Sequence, residues 1–145
     1  MRIVLQKVSR AAVRVDGVEV SSIGPGLVAL VAVERGDDEA AISSAADKLG
    51  HVRCFPDADG RMNLDPSAAG AAFLLVSQFT LAARMDRGRR PSFERAAPPD
   101  RAAALLDRLA AELRAQGHEV QLGQFGAHME VELVNEGPVT LIVEL

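Results

Sequence analysis

The sequence predicts an α+β protein: a mixed, mostly antiparallel sheet with a barrel-like core, two main helices and one domain over residues 1–145. Three observations lead there. Apolar, β-branched runs outnumber the stretches with helical spacing. Both helical stretches are followed by strand-like runs, as in α+β chains with a mixed sheet. The 145 residues are 48% apolar, enough for one core, and no linker or low-complexity segment divides them.

The elements follow in order. "RIVLQKVSRAAVRV" alternates in part and ends at Asp16-Gly17, a strong hairpin signal before the returning "VEVSSI". Gly24-Pro25-Gly26 breaks the run, and the wholly apolar "LVALVAV" reads as a central strand. A helix is predicted from Asp38 to Leu49, with acids at its start, Lys48 near its end and Gly50 as its stop. "HVRCF" reads as a short strand ended by Pro56, and "DADGRMN" as a loop with Gly60 at its tip. "AAFLLVSQFTL" is a strand up to Gln78, and Arg84 to Pro99 is a loop. Asp100 is expected to cap a second helix whose stripe is Leu105, Leu106, Leu109 and Leu113, with Gly117 as its stop. "HEVQLGQF", "HMEVELV" and "PVTLIVEL" are expected as three closing strands.

Composition excludes several functions. A formal net charge of −4 argues against a general nucleic-acid coat, which needs many phosphate contacts. Aromatics are only 3%, too few for a broad base-stacking platform. The lone Cys54 forms no internal disulfide and reads as a small buried hydrophobe. With no apolar stretch of signal-peptide or membrane-span length near the start, the expectation is a soluble cytoplasmic protein. Gly-x-Ser-x-Gly, GxGxxG and Walker A motifs are absent, so no nucleotide cofactor is expected. His51, His118 and His128 lack metal-ligand spacing, and no metal site is expected. Asp37-Asp38 reads as a helix start, and Asp57 with Asp59 as turn chemistry.

Three polar stretches remain. Ser77-Gln78-Phe79-Thr80-Leu81 sits where an apolar strand ends, which suits either a binding site or plain strand termination. "RMDRGRRPSFER" carries Arg84, Arg87, Arg89, Arg90 and Arg95 against Asp86 and Glu94. It is either a solvated loop or a seat for phosphate, and the exclusive use of Arg favours a polyanionic ligand. In "VELVNEGPVTLIVEL", a Gly-Pro step interrupts two apolar runs, as a hairpin turn or as a rigid functional loop.

"SQFTL" and "NEGPVT", with "MRIVLQKV", "GPGLVALVAV", "GRMN", "RRPSF" and "FGAHMEVEL" in the same order, resemble the D-aminoacyl-tRNA deacylases over essentially the whole chain. The resemblance implies hydrolysis of the ester joining a D-amino acid, or mischarged glycine, to the 3′ end of tRNA. It also implies a homodimer in which a cis Gly137-Pro138 pair enters the partner's pocket. There its carbonyls would hold the amino group and exclude an L side chain by clash. Ser77, Gln78, Phe79 and Thr80 would be the catalytic stretch, with backbone N–H groups near Gln78 and Phe79 steadying the oxyanion. Phe125, Ala127 and Met129 would line the pocket, and Asn135 belongs to the chiral-selection motif. Arg84, Arg87, Arg89 and Arg90 would contact tRNA. No base is identifiable beside Thr80, so catalysis assisted by the terminal ribose 2′-OH is favoured. Glu136 stands where Asp is more usual, and Gly50-His51 where bulkier apolar residues are expected. The competing readings are a non-catalytic tRNA-binding module using the arginine loop, and an esterase of free amino-acid esters.

Overall fold

A computed structural model describes residues 1–86 and 88–145. Strands β1 (Arg2–Val15) and β2 (Val18–Ile23) form the expected hairpin, turning through Asp16 and Gly17 at φ +50° and +79°. Two successive left-handed residues match the twist of the flanking strands. Strand β3 (Gly26–Ala32) pairs antiparallel with Arg2–Val8 of β1 and parallel with β6 (Ala72–Ser77). β7 (Val120–Leu122) extends the parallel ladder. The last strand, β8 (Glu130–Glu144), occupies the other edge of β1 along nearly its whole length. β2 and β3 therefore share one edge of β1, and the chain changes between them at Gly24-Pro25.

The sheet has a core on each face. On one, Ile3, Leu5, Leu27, Ala29, Phe73 and Leu75 pack against helices α1 (Glu39–Gly50) and α2 (Pro99–Ala115). On the other, Val8, Val13, Ile23, Val28, Leu74 and Val76 fill the interior of a nearly closed barrel, roofed by Val131 and Leu133 of β8. β3 and β6 alternate between these two cores, which is why both read as continuous apolar runs. The α+β reading is borne out: two helices and a mixed sheet bent almost into a barrel. Among the described residues, no helix is long and apolar enough to cross a membrane.

Several local expectations are corrected. Asp38 does cap α1, its carboxylate accepting from the Ala41 N–H at 3.0 Å, but Gly50 lies inside the last turn and the cap is His51. Gly50 serves packing. A Cβ there would meet Gln116 Oε1 at 2.1 Å and His118 Nε2 at 3.0 Å, so its lack of a side chain lets the end of α1 touch the end of α2. Asp100 is not the cap of α2. Pro98 holds that position and Pro99 begins the helix, needing no N–H there, while Asp100 sits in the first turn. Gly117 does stop α2. At φ +91° it donates to the Arg114 carbonyl while His118 donates to that of Leu113, closing a Schellman motif.

The expected His51–Phe55 strand is instead irregular until β4 (Phe55–Pro56), which pairs with β5 (Met62–Leu64). Arg53 crosses the ribbon with its side chain, donating to the Asn63 carbonyl at 2.7 Å. Asp57 performs turn chemistry as expected, accepting from the N–H groups of Asp59 and Arg61. The "AAFLLVSQFTL" strand ends at Ser77, and Phe79–Ala82 form a 3-10 helix.

The largest correction concerns the final strands. The runs on either side of Gly137-Pro138 do not pair with each other. They form one strand, β8, and both pair with β1: Val8 with Asn135, then Gln6 with Thr140. Glu136, Gly137, Pro138 and Val139 thus stand opposite the single residue Lys7 as a large bulge. A proline is tolerated where it owes the ladder no N–H.

Candidate active site

β3 and β6 end side by side, with Val31 opposite Ser77. The Gln78 N–H donates to the Val31 carbonyl at 2.7 Å and carries the ladder one residue further. The chain then tightens into the 3-10 helix, led by Phe79. Beyond these strand ends lies a cavity of about 460 Å³. Ser77, Gln78 and Phe79 form one wall. Phe125, Ala127 and Met129, on the segment between β7 and β8, form another. The structure therefore brings six of the expected site residues around one space.

Others are placed differently. Thr80 is exposed and does not line the cavity; its hydroxyl accepts a hydrogen bond from the Gln78 side-chain amide. An amide cannot take a proton from that hydroxyl, so this contact does not activate Thr80 as a nucleophile. Gly137, Pro138 and Asn135 are also absent from the cavity wall. Val131 reaches the cavity, but β8 advances roughly 13 Å from there to Asn135, at ~3.3 Å per residue, before the bulge begins.

The bulge is held by its own polar groups. Asn135 Oδ1 accepts from the Val139 N–H at 3.0 Å, and Asn135 Nδ2 donates to Thr140 Oγ1 at 2.9 Å. Gln6 reaches the same hydroxyl from β1 at 3.3 Å. Lys7, otherwise buried, lies 3.7 Å from the Glu136 carboxylate and 5.9 Å from the centre of the Phe55 ring. The Gly137–Pro138 peptide is cis.

Further residues were not legible as site residues. Val31, Val33, Ala97 and Leu106 complete the apolar wall; Val31, Val33 and Leu106 read in sequence as ordinary core, and Ala97 as part of the loop before α2. His128, which lacks metal-ligand spacing in the sequence, is exposed and lines the cavity. Phe93 packs edge-to-face on Phe79 at 5.0 Å between ring centres. This contact holds the arginine loop against the mouth of the cavity.

In that loop Arg84 binds Asp86 at 2.7 Å and exchanges backbone hydrogen bonds with Ser92. Arg89 and Arg90 are exposed. Arg95 pairs with Glu34 at 3.1 Å and so helps anchor the loop. Arg87 lies outside the described residues. The Glu34 region is tied down by the Met1 ammonium group, which lies 2.7 Å from Asp37 Oδ1, 3.4 Å from Glu34 Oε2 and 3.2 Å from the Leu145 carbonyl. Away from the cavity, burial holds the His118 pKa below the ordinary histidine value, with His51 adding to the effect.

Comparison with known proteins places this geometry. A family model described as D-Tyr-tRNA(Tyr) deacylase matches residues 4–144. The chain belongs to that family. A relative in Heliobacterium modesticaldum, named D-aminoacyl-tRNA deacylase, is 52% identical over 99% of this chain and 96% of its own. One of the same name in Ruegeria pomeroyi is 48% identical over the whole of both chains. Among solved structures, a c-Myc DNA unwinding element binding protein superposes with a TM-score of 0.94 at 32% identity, covering 100% of this chain and 99% of that one. A probable eukaryotic D-amino acid tRNA deacylase gives 0.86 at 20% identity over 99% and 98%, a likeness of fold. The bulged last strand and the cavity beyond β6 are thus features of a deacylase-family chain.

Proposed function

We propose that this protein hydrolyses the ester bond of D-aminoacyl-tRNAs, and of mischarged glycyl-tRNA, releasing the free amino acid and tRNA. The observation that carries the reading is the separation of two elements within one chain. The Ser77–Phe79 strand end opens on a cavity, while Gly137-Pro138 projects from a braced bulge remote from it. A homodimer in which each bulge enters the other protomer's cavity makes the two elements one site. The names borne by the relatives support the substrate.

In this reading the Gly137 and Pro138 carbonyls accept from the substrate ammonium group and leave no room for an L side chain. Hydrogen passes where a side chain would clash, so glycine is accepted too. Water attacks the ester carbonyl, the carbon–oxygen bond to the 3′ oxygen breaks, and that oxygen leaves with a proton. The neighbouring 2′-OH orients and activates the water, and the protein supplies placement. Of the two amides expected to steady the oxyanion, that of Gln78 is already committed to Val31. The Phe79 amide heads the 3-10 helix, has no intrahelical acceptor, and takes the role. Arg84, Arg89 and Arg90 supply contacts to tRNA phosphates, a role the sequence also suggests for Arg87.

The purified protein is expected to release tyrosine from D-Tyr-tRNA and to spare L-Tyr-tRNA. Equal cleavage of both would refute chiral selection. Salt-sensitive tRNA binding without cleavage would favour the binding-module reading, and cleavage of free D-amino-acid esters would favour a simple esterase. A terminal 2′-deoxy substrate is expected to bind and not turn over.

A further inference from the structure

Gly123 follows β7 directly, behind the cavity wall. The described glycines with left-handed backbones are Gly17, Gly60, Gly70, Gly88, Gly117, Gly126 and Gly137. Gly123 is not among them, so its φ does not require glycine. Space does. A Cβ at this position would stand 2.9 Å from Met129 Sδ and 3.7 Å from both methyls of Val76. The Gly123 N–H donates to the Leu75 carbonyl at 2.9 Å, which holds its backbone flush against β6. Val76 is fully buried and cannot retreat. Met129 is unbranched and yields easily, and it lines the cavity.

We propose that Gly123 is a specificity-determining positioning residue: its bare Cα is the seat on which the Met129 thioether rests, and this seat fixes how much of the cavity is open to substrate. The proposal rests on the deacylase reading for its kinetic consequence. It does not rest on that reading for the geometry. A side chain at residue 123 displaces the thioether away from the Gly123 backbone, and with Val76 of β6 on the other side of that Cβ the room left to Met129 is the cavity it lines.

The test is a double-mutant cycle with a structural readout beside it. In Gly123→Ala, KM for D-Tyr-tRNA is expected to rise about tenfold with kcat within about twofold, the mark of a narrowed binding space. In a Met129→Ala background there is no thioether to displace, so adding Gly123→Ala is expected to change KM by less than about twofold. That background also accommodates the extra methyl, so the comparison survives if the single variant folds poorly. The chain has four methionines, so the Met129 methyl resonance is identified by its loss in Met129→Ala, and it is expected to shift in Gly123→Ala. An unmoved resonance overturns the proposal. So does a moved resonance with unchanged KM, or the same KM change in both backgrounds. If the wild-type protein fails to cleave D-Tyr-tRNA, the deacylase reading falls, while the methyl resonance still decides whether Gly123 seats Met129.

Discussion

The strand end at Ser77–Phe79 and the bulge at Glu136–Val139 are built by opposite means. The first is concave and assembled from distant parts of the chain: β3, β6, the segment before β8 and the start of α2 all supply walls. The second is convex and braced largely from within, by Asn135 and Thr140, with Gln6 and Lys7 of β1 beneath. One has a space and the other has something to put in a space. Within one protomer they stand apart, and in the proposed homodimer each is half of a device completed by a second copy.

The sharpest way to break that comparison is to spoil one half in each of two protomers. Gly137 lies at φ +126°, and an added Cβ would stand 2.9 Å from the Val139 nitrogen, so Gly137→Ala displaces the bulge. A loss of about 100-fold in kcat/KM is expected. Mixing this variant with Phe79→Ala is expected to restore about a quarter of wild-type activity, because half the dimers are mixed and each has one intact site. If nothing returns on mixing, the two halves do not meet across protomers.

A milder change loosens the bulge without touching the cavity. Asn135→Ala removes both of its hydrogen bonds, each worth about 1 kcal/mol. The expected outcome is about a tenfold loss of D-Tyr-tRNA cleavage with measurable attack on L-Tyr-tRNA, followed by comparing the two rates. Unchanged discrimination would mean the bulge is braced by something else.

Acid tests the framework shared by both regions. The neutral form of His118 is favoured in the fold, because burial lowers its pKa. Its contribution to stability is present above the ordinary value of 6.5 and is lost as pH falls below it, through the lowered folded value. Melting temperature should therefore drop more steeply below that pH in the wild type than in His118→Asn. Parallel curves would remove His118 as the cause.

The smallest effect is expected at Thr80. With its hydroxyl bonded to Gln78 rather than to a base, Thr80→Ala should lower kcat by no more than about fivefold. Near-complete loss would contradict assistance by the substrate hydroxyl.

Much of this was legible in the sequence where the signal is local. Asp16-Gly17 announced its hairpin, the leucine stripe announced α2, and Gly117 announced its end. Ser77, Gln78, Phe79, Phe125, Ala127 and Met129 were singled out and meet at one cavity. What stayed hidden depends on partners far along the chain. Asn135-Glu136-Gly137-Pro138 has the composition of a turn, and only pairing with β1 reveals that both flanks belong to one strand. Val31 and Leu106 look like core because they are core on one side and wall on the other. Gly50 looked out of place, since nothing near it in sequence mentions Gln116 or His118.

The count within the bulge has a consequence for how the chain tolerates insertion and deletion. Before it, Val131 and Leu133 point to the barrel interior; after it, Leu141 and Val143 meet the helix-side core. Pairing places Leu141 opposite Leu5 and Val143 opposite Ile3, so a one-residue slip of this register after a shortened bulge would turn Leu141 and Val143 towards water and bring the exposed Ile142 inward. The projecting tip is thus also a spacer that keeps the final strand in phase, and its length is constrained by packing on the far side of the sheet.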